Sequence, residues 1–263
     1  MLIYAAEIKK QFYYGNQKLD LFQSIRINKL IKSALKTEFY KKHFNLIDKD
    51  ISNLSIQDFP IVDKDCIRDS LHDFHLNNIF IPKTIGNTGG STGSPFSFYT
   101  DLNCRFNEFS HQLFFYKEIG FSIFDKIYSF GGVRIPKRKI KKNIFWKNKL
   151  IGFPFGKVIF SAEILNENNV SFYCDKIIDE KPQFLRGYPS ALVILAEHVK
   201  LNSIKIDFIK GVLLTSEMVS ESNIILISNY LNCKVVPQYG QGENSVFGFT
   251  KPNSLKYFCS PYY

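Results

Sequence analysis

The sequence has no C-x-x-C pair and no His/Cys cluster at metal-ligand spacing. These absences exclude an ordinary structural zinc site. Its five cysteines, Cys66, Cys104, Cys174, Cys233 and Cys259, are far apart and odd in number, as expected of a reduced, cytoplasmic protein. No apolar run reaches the roughly 18 residues that would span a bilayer. The amino terminus, Met1-Leu2-Ile3-Tyr4-Ala5-Ala6-Glu7, lacks a charged leader followed by a long apolar core, so no signal peptide is expected. Peripheral contact with the inner face of a membrane stays open.

Acidic residues are the scarcer charge, with 24 Asp and Glu against 34 Lys and Arg and a formal net charge of +10. Net charge bears on association and solubility rather than fold. Lys, Asn and Ile are all abundant, so composition supplies much of the excess and nucleic acid is not the expected partner. A chain of 263 residues can bury a sizeable core and allows one or two domains. The pattern predicts a mainly helical segment over residues 1–75 and an α/β core over residues 76–263.

What is present in quantity is glycine and hydroxyl in one place, Ile85-Gly86-Asn87-Thr88-Gly89-Gly90-Ser91-Thr92-Gly93-Ser94-Pro95, between the β-type runs Ile79-Phe80-Ile81 and Phe96-Ser97-Phe98-Tyr99. Glycines let a backbone approach a ligand closely, and consecutive N–H groups form a concave nest for an anion. A phosphate-wrapping loop and an ordinary turn both fit this composition. The stretch is neither the G-x-x-x-x-G-K-[S/T] loop, whose lysine is missing, nor the G-x-G-x-x-G fingerprint.

Helical spacing of Leu21, Phe22, Ile25, Leu30, Ile31, Leu35 and Phe39 predicts a helix over about 19–43. Asp63 is a plausible cap for a short helix after Phe59-Pro60-Ile61-Val62, and Asp101 for one running to about Gly120. His111 on that helix is expected to be a packing or surface residue rather than a catalytic one. Ile127-Tyr128-Ser129-Phe130 reads as a strand. The basic run from Lys137 to Lys149 has three readings: a solvated loop, a nucleic-acid patch, or a patch for anionic lipid or a phosphorylated glycan carrier. In the latter two, Phe145 and Trp146 would stack on bases or insert among headgroups.

The second half alternates: a helix after Gly187-Tyr188-Pro189-Ser190, a strand over 209–214 ending at Thr215-Ser216-Glu217, a helix over about 220–231, and a strand Lys234-Val235-Val236 leading to Pro237-Gln238-Tyr239-Gly240-Gln241-Gly242-Glu243. This alternation predicts a parallel α/β sheet, in which ligands collect beyond the carboxyl ends of strands.

Thr88-Gly89-Gly90-Ser91-Thr92-Gly93-Ser94-Pro95 closely resembles the T-S/G-G-S-T-G-x-P phosphate loop of the adenylate-forming (AMP-binding) enzymes, most of all the phenylacetate-CoA ligase and capsular-polysaccharide (CapK-like) branch. Arg186-Gly187-Tyr188-Pro189-Ser190 looks like the helix start of the capsular branch, and Tyr239-Gly240-Gln241-Gly242-Glu243 like the superfamily's Y-G-x-x-E motif. The likeness runs from about Phe59 to the end. It implies the large N-terminal domain of the acyl-adenylate-forming fold, with mixed or parallel sheets flanked by helices, incomplete at its C-terminus. It implies ATP-dependent activation of a small-molecule carboxylate in surface or capsular polysaccharide biosynthesis, with ATP and Mg²⁺ and a further candidate in coenzyme A. Thr88, Gly89, Gly90, Ser91, Thr92 and Gly93 would hold the triphosphate, with Thr92 and Glu243 catalytic and Glu243 on the metal. Ser216 and Glu217 would line the adenine side, and Tyr239 and Gly240 the nucleotide or acyl group. The alternative is a non-catalytic relative that binds a polyanion or partner through residues 137–149.

Three departures stand out. Ser94 replaces a lysine common in the family, and Thr215-Ser216-Glu217 lacks the glycine that usually precedes this glutamate. The sequence stops at Tyr263, before the ribose-binding aspartate, hinge and lysine-bearing small domain of the family, so the expectation is a nucleotide-binding core that is truncated or separately encoded.

Overall fold

The structure, a computed structural model, describes residues 16–46, 54–76, 83–87, 96–150 and 156–260. The chain divides into two compact units, one of residues 1–108, 242–244 and 261–263, the other of residues 109–241 and 245–260.

In the first unit the expected single helix is two, α1 (Asn16–Ala34) and α2 (Glu38–Leu46). The break has a local cause: Thr37 donates to the Ala34 carbonyl through both its backbone N–H, at 2.9 Å, and its Oγ1, at 2.7 Å, which closes the end of α1. The short helix α3 (Lys64–Asp69) is capped as expected, Asp63 Oδ1 accepting from the Cys66 N–H at 2.8 Å. Next come two antiparallel strands, β1 (Lys83–Asn87) and β2 (Ser97–Asp101), with Asn87 opposite Ser97. Ile85, Gly86 and Asn87 therefore belong to a strand rather than to the glycine-rich loop. The run Ile79-Phe80-Ile81 lies outside the described residues.

Helix α4 (Leu102–Glu118) starts where Asp101 Oδ1 accepts from the Cys104 N–H at 2.8 Å. The second unit is built on an eight-stranded sheet, in the order β10-β9-β8-β7-β6-β3-β5-β4. Its strands are β3 (Ile127–Gly131), β4 (Trp146–Asn148), β5 (Val158–Ser161), β6 (Phe184–Gly187), β7 (Gly211–Leu214), β8 (Lys234–Gly240), β9 (Phe247–Thr250) and β10 (Tyr257–Cys259). The five central strands, β5, β3, β6, β7 and β8, are parallel, as the alternation predicts. The edges are not: β4, β9 and β10 pair antiparallel, so the sheet is mixed.

Successive strand residues point to opposite faces, and the core divides accordingly. Leu185, Val212, Leu214 and Val235 pack with α6 (Val170–Glu180), α7 (Pro189–Leu201) and α8 (Glu221–Tyr230). Phe184, Leu213 and Val236 pack with Leu113, Phe115 and Tyr116 of α4. Being buried on both faces is what makes β7, Gly211-Val212-Leu213-Leu214, read as a continuous apolar run.

Candidate functional site

The register across the parallel strands aligns Phe130, Gly187, Leu214 and Pro237. The residues that follow them, Gly131-Gly132, Tyr188-Pro189-Ser190, Thr215-Ser216-Glu217 and Gln238-Tyr239-Gly240, therefore lie along one carboxyl rim. Two of the three motif segments are thereby neighbours in space, joined by the strand end between them.

At Gly187 the backbone takes φ +154°, and a Cβ there would stand 2.4 Å from the Phe130 carbonyl oxygen. Only glycine lets β6 pass β3 at this distance. Pro189 opens α7 at its first position, where its missing N–H costs nothing. The capping residue of α7, Tyr188, supplies no side-chain cap. The cap comes from the turn after β7 instead: Glu217 Oε2 accepts from the Ser190 N–H and Oε1 from the Ser190 hydroxyl, both at 3.0 Å. A carboxylate at a helix N-terminus also complements its dipole. The Thr215 N–H donates to the Gly187 carbonyl at 3.0 Å, so the two strand ends are tied by backbone as well. Sequence reasoning missed this link, because a cap 27 residues away leaves no local signal.

Ser216 sits between these tied residues with φ +71°, in the left-handed region. This is the position where the sequence departs from the glycine of the resembled motif, and here a serine adopts a torsion that glycine takes freely. Tyr239 and Gly240 are the last residues of β8 rather than part of a following loop. Tyr239 is 56% exposed, its ring edge-on to Tyr257 with centroids 6.1 Å apart.

Thr88, Gly89, Gly90, Ser91, Thr92 and Gly93 lie outside the described residues. The strands leading into and out of them are held by Ser97 Oγ, which donates to Asn87 Oδ1 at 2.8 Å, and by a 3.0 Å bond between the Thr84 and Thr100 hydroxyls. Glu243 follows β8 in the chain, is half-buried and has no basic partner among the described residues. Three-residue groups of His, Cys, Asp and Glu able to hold a metal are absent among the described residues. A lone carboxylate nevertheless suits Mg²⁺, which keeps several waters and takes its other oxygens from substrate phosphates.

Other chemistry finds little support. His111 is fully buried, with Nε2 2.7 Å from Ser260 Oγ and its ring 5.1 Å from that of Phe247, a packing position rather than a surface one. All five cysteines are free. Burial pushes the Cys174 thiol up to about 11, with Asp175 adding to the effect, and the Cys233 thiol up to about 12, so neither is a thiolate nucleophile near neutral pH. Phe145 is buried, 5% exposed, which removes it from any interface with bases or headgroups. An apolar groove of about 390 Å³ in the first unit, lined by Leu30, Ile31, Tyr40, Phe59 and Phe74 among others, contains none of the candidate nucleotide- or metal-binding residues.

The chain is similar to known proteins in sequence and in fold. Protein CapK of Staphylococcus aureus is 28% identical over 244 residues, covering 92% of this chain and 52% of that protein. A 2-hydroxyisobutyryl-CoA ligase crystallised in the postadenylation state with R3-HIB-AMP superposes with a TM-score of 0.63 at 14% identity, over 91% of this chain and 52% of the ligase. The same enzyme with 2-HIB-AMP and CoA, in the thioesterification state, gives 0.62 at 16% identity, over 91% and 53%. No protein-family model matches the chain. The chain thus spans about half the length of the proteins it matches.

Proposed function

We propose that this chain, CapK-like in sequence and with the fold of the adenylate-forming ligases, activates a carboxylate as an acyl-adenylate. The observation that carries the reading is the shared carboxyl rim, where the Gly187–Ser190 and Tyr239–Gly240 segments flank Thr215-Ser216-Glu217. In such a reaction a carboxylate oxygen attacks the α-phosphate of ATP and pyrophosphate leaves, which demands alignment and charge neutralisation rather than a protein nucleophile. Thr88, Gly89, Gly90, Ser91, Thr92 and Gly93 hold the triphosphate, Thr92 through its hydroxyl. Ser216 and Glu217 border the adenine, with the Glu217 carboxylate engaged by Ser190 and the backbone presented to the base. Tyr239 and Gly240 lie against the nucleotide or acyl group. Glu243 holds Mg²⁺, which when bound neutralises phosphate charge. Coenzyme A is the acceptor considered for a second step. The likeness to CapK supports a role in capsular or other surface polysaccharide biosynthesis, on the cytoplasmic side where ATP is found. The half-length match supports a core that works with further sequence.

The test is calorimetry of ATP binding to the purified chain, with and without Mg²⁺, for wild type and Glu243→Ala. Mg²⁺-dependent binding that the substitution weakens is the expected result. No binding at millimolar ATP would replace this reading with a non-catalytic relative.

A further inference from the structure

One edge of the eight-stranded sheet carries a cluster of cations for which adenylate chemistry has no use. Lys137 and Arg138 on the short helix α5 (Lys137–Ile140), Lys141 and Lys142 after it, Lys147 and Lys149 on and beside β4, and Lys157 before β5 are all exposed. Among the described residues none of them forms an ion pair. The backbone gathers them: the Ile144 N–H donates to Lys139 O at 3.0 Å, Ser161 N–H to Phe145 O at 2.9 Å and Lys149 N–H to Lys157 O at 2.7 Å. Like charges held together without counter-charges repel one another, and an anionic partner relieves that repulsion.

The neighbouring side chains decide which partner. Binding of single-stranded nucleic acid relies on exposed ring faces for stacking. Phe145 is buried against Tyr173, with centroids 5.4 Å apart. Trp146 has Lys176 Nζ 5.3 Å over its ring and Phe160 at its edge, centroids 5.8 Å apart. What the patch does expose is aliphatic, since Leu150, next to Lys149, is 102% exposed. Cations around a protruding aliphatic side chain suit a charged bilayer, the cations meeting headgroups and the leucine the acyl boundary. We propose that this edge docks on an anionic phospholipid surface, with Lys141, Lys142, Lys147 and Lys149 on the headgroups and Leu150 as the apolar contact.

The experiment is co-sedimentation of the purified chain with vesicles of phosphatidylcholine alone and of phosphatidylcholine with phosphatidylserine, at low and high salt. Retention is expected on the phosphatidylserine vesicles alone, and high salt should reduce it. Each cation near a charged membrane contributes about fivefold to partitioning, so the quadruple variant Lys141→Glu, Lys142→Glu, Lys147→Glu, Lys149→Glu should lower it by at least about a hundredfold. Leu150→Ser should lower it by about a few-fold. Thermal unfolding of both variants reports whether they fold. A wild-type chain that stays in the supernatant with phosphatidylserine vesicles overturns the proposal. So does tighter binding to an oligonucleotide that Leu150→Ser leaves unchanged. A quadruple variant that pellets without vesicles also overturns it, because the lysines would then serve to keep the exposed edge strand from pairing with other chains. Nucleotide is absent throughout, so the outcome is independent of ATP binding.

Discussion

Two adjacent strands, β6 and β7, leave the sheet side by side and turn into the same rim, and both do so through a residue with positive φ. On β6 that residue is Gly187, at φ +154°, and just after β7 it is Ser216, at φ +71°. The difference lies in what a side chain would meet. A Cβ on Gly187 would stand 2.4 Å from the Phe130 carbonyl oxygen and 2.9 Å from its nitrogen, inside the pairing of β3 with β6. Ser216 is exposed, so its Cβ has room and only the conformation is strained. One position therefore requires glycine for space, whereas the other favours it for torsion alone.

The sharpest way to break this comparison is Gly187→Ala. Strain at that φ adds to a clash with backbone that cannot move without unpairing two central strands, so a loss of at least about 3 kcal/mol is expected in chemical denaturation. A loss below about 1 kcal/mol would show that the rim adjusts and that glycine there is a convenience. A smaller effect sharpens the comparison from the other strand. Glu217→Ala removes both bonds to Ser190 and should cost about 1 kcal/mol, the ordinary worth of a helix cap. In a double-mutant cycle Ser190→Ala should recover part of that cost as coupling. The same cycle on ATP affinity separates two roles for Glu217. Non-additive losses mean that it acts by positioning α7 through Ser190, and additive losses mean that it touches the nucleotide itself.

The legibility of these features follows their range along the chain. In the parallel centre of the sheet β3, β7 and β8 were legible, because those strands and the helices beside β7 carry their own periods, whereas β5, β6 and α6 were not read; the caps at Asp63 and Asp101 were legible because capping acts over three residues. The antiparallel edges were not legible, since β4, β9 and β10 are three or four residues long and their direction depends on which strand lies beside them. The single helix expected over 19–43 failed at Thr37, whose hydroxyl turns back on the Ala34 carbonyl, a competition that apolar spacing does not register. Phe145 and Trp146 looked available because a basic run surrounds them, yet the aromatic core under the edge strand claims both. At the rim, Gly187 could be quoted as part of a motif, but its necessity comes from Phe130, far off in sequence.

The smallest expected effect is at Ser216, and it carries the most information about the site. Ser216→Gly relieves a left-handed residue, worth about 1–2 kcal/mol, but the glycine adds freedom to the unfolded chain that offsets about half of the gain. The net is a stabilisation of about 0.5 kcal/mol, a rise in Tm of about 1–2 °C. Should the variant be less stable than wild type, the torsional half of the comparison is wrong. Given the gain in stability, ATP affinity then assigns the serine. Unchanged affinity means that the position merely tolerates a side chain, whereas weakened affinity means that the strained turn is held for the ligand, since strained torsions persist at binding loops when the surrounding structure enforces them. The two bonds from Ser190 to Glu217 and the bond from Thr215 to Gly187 supply that enforcement on either side of Ser216.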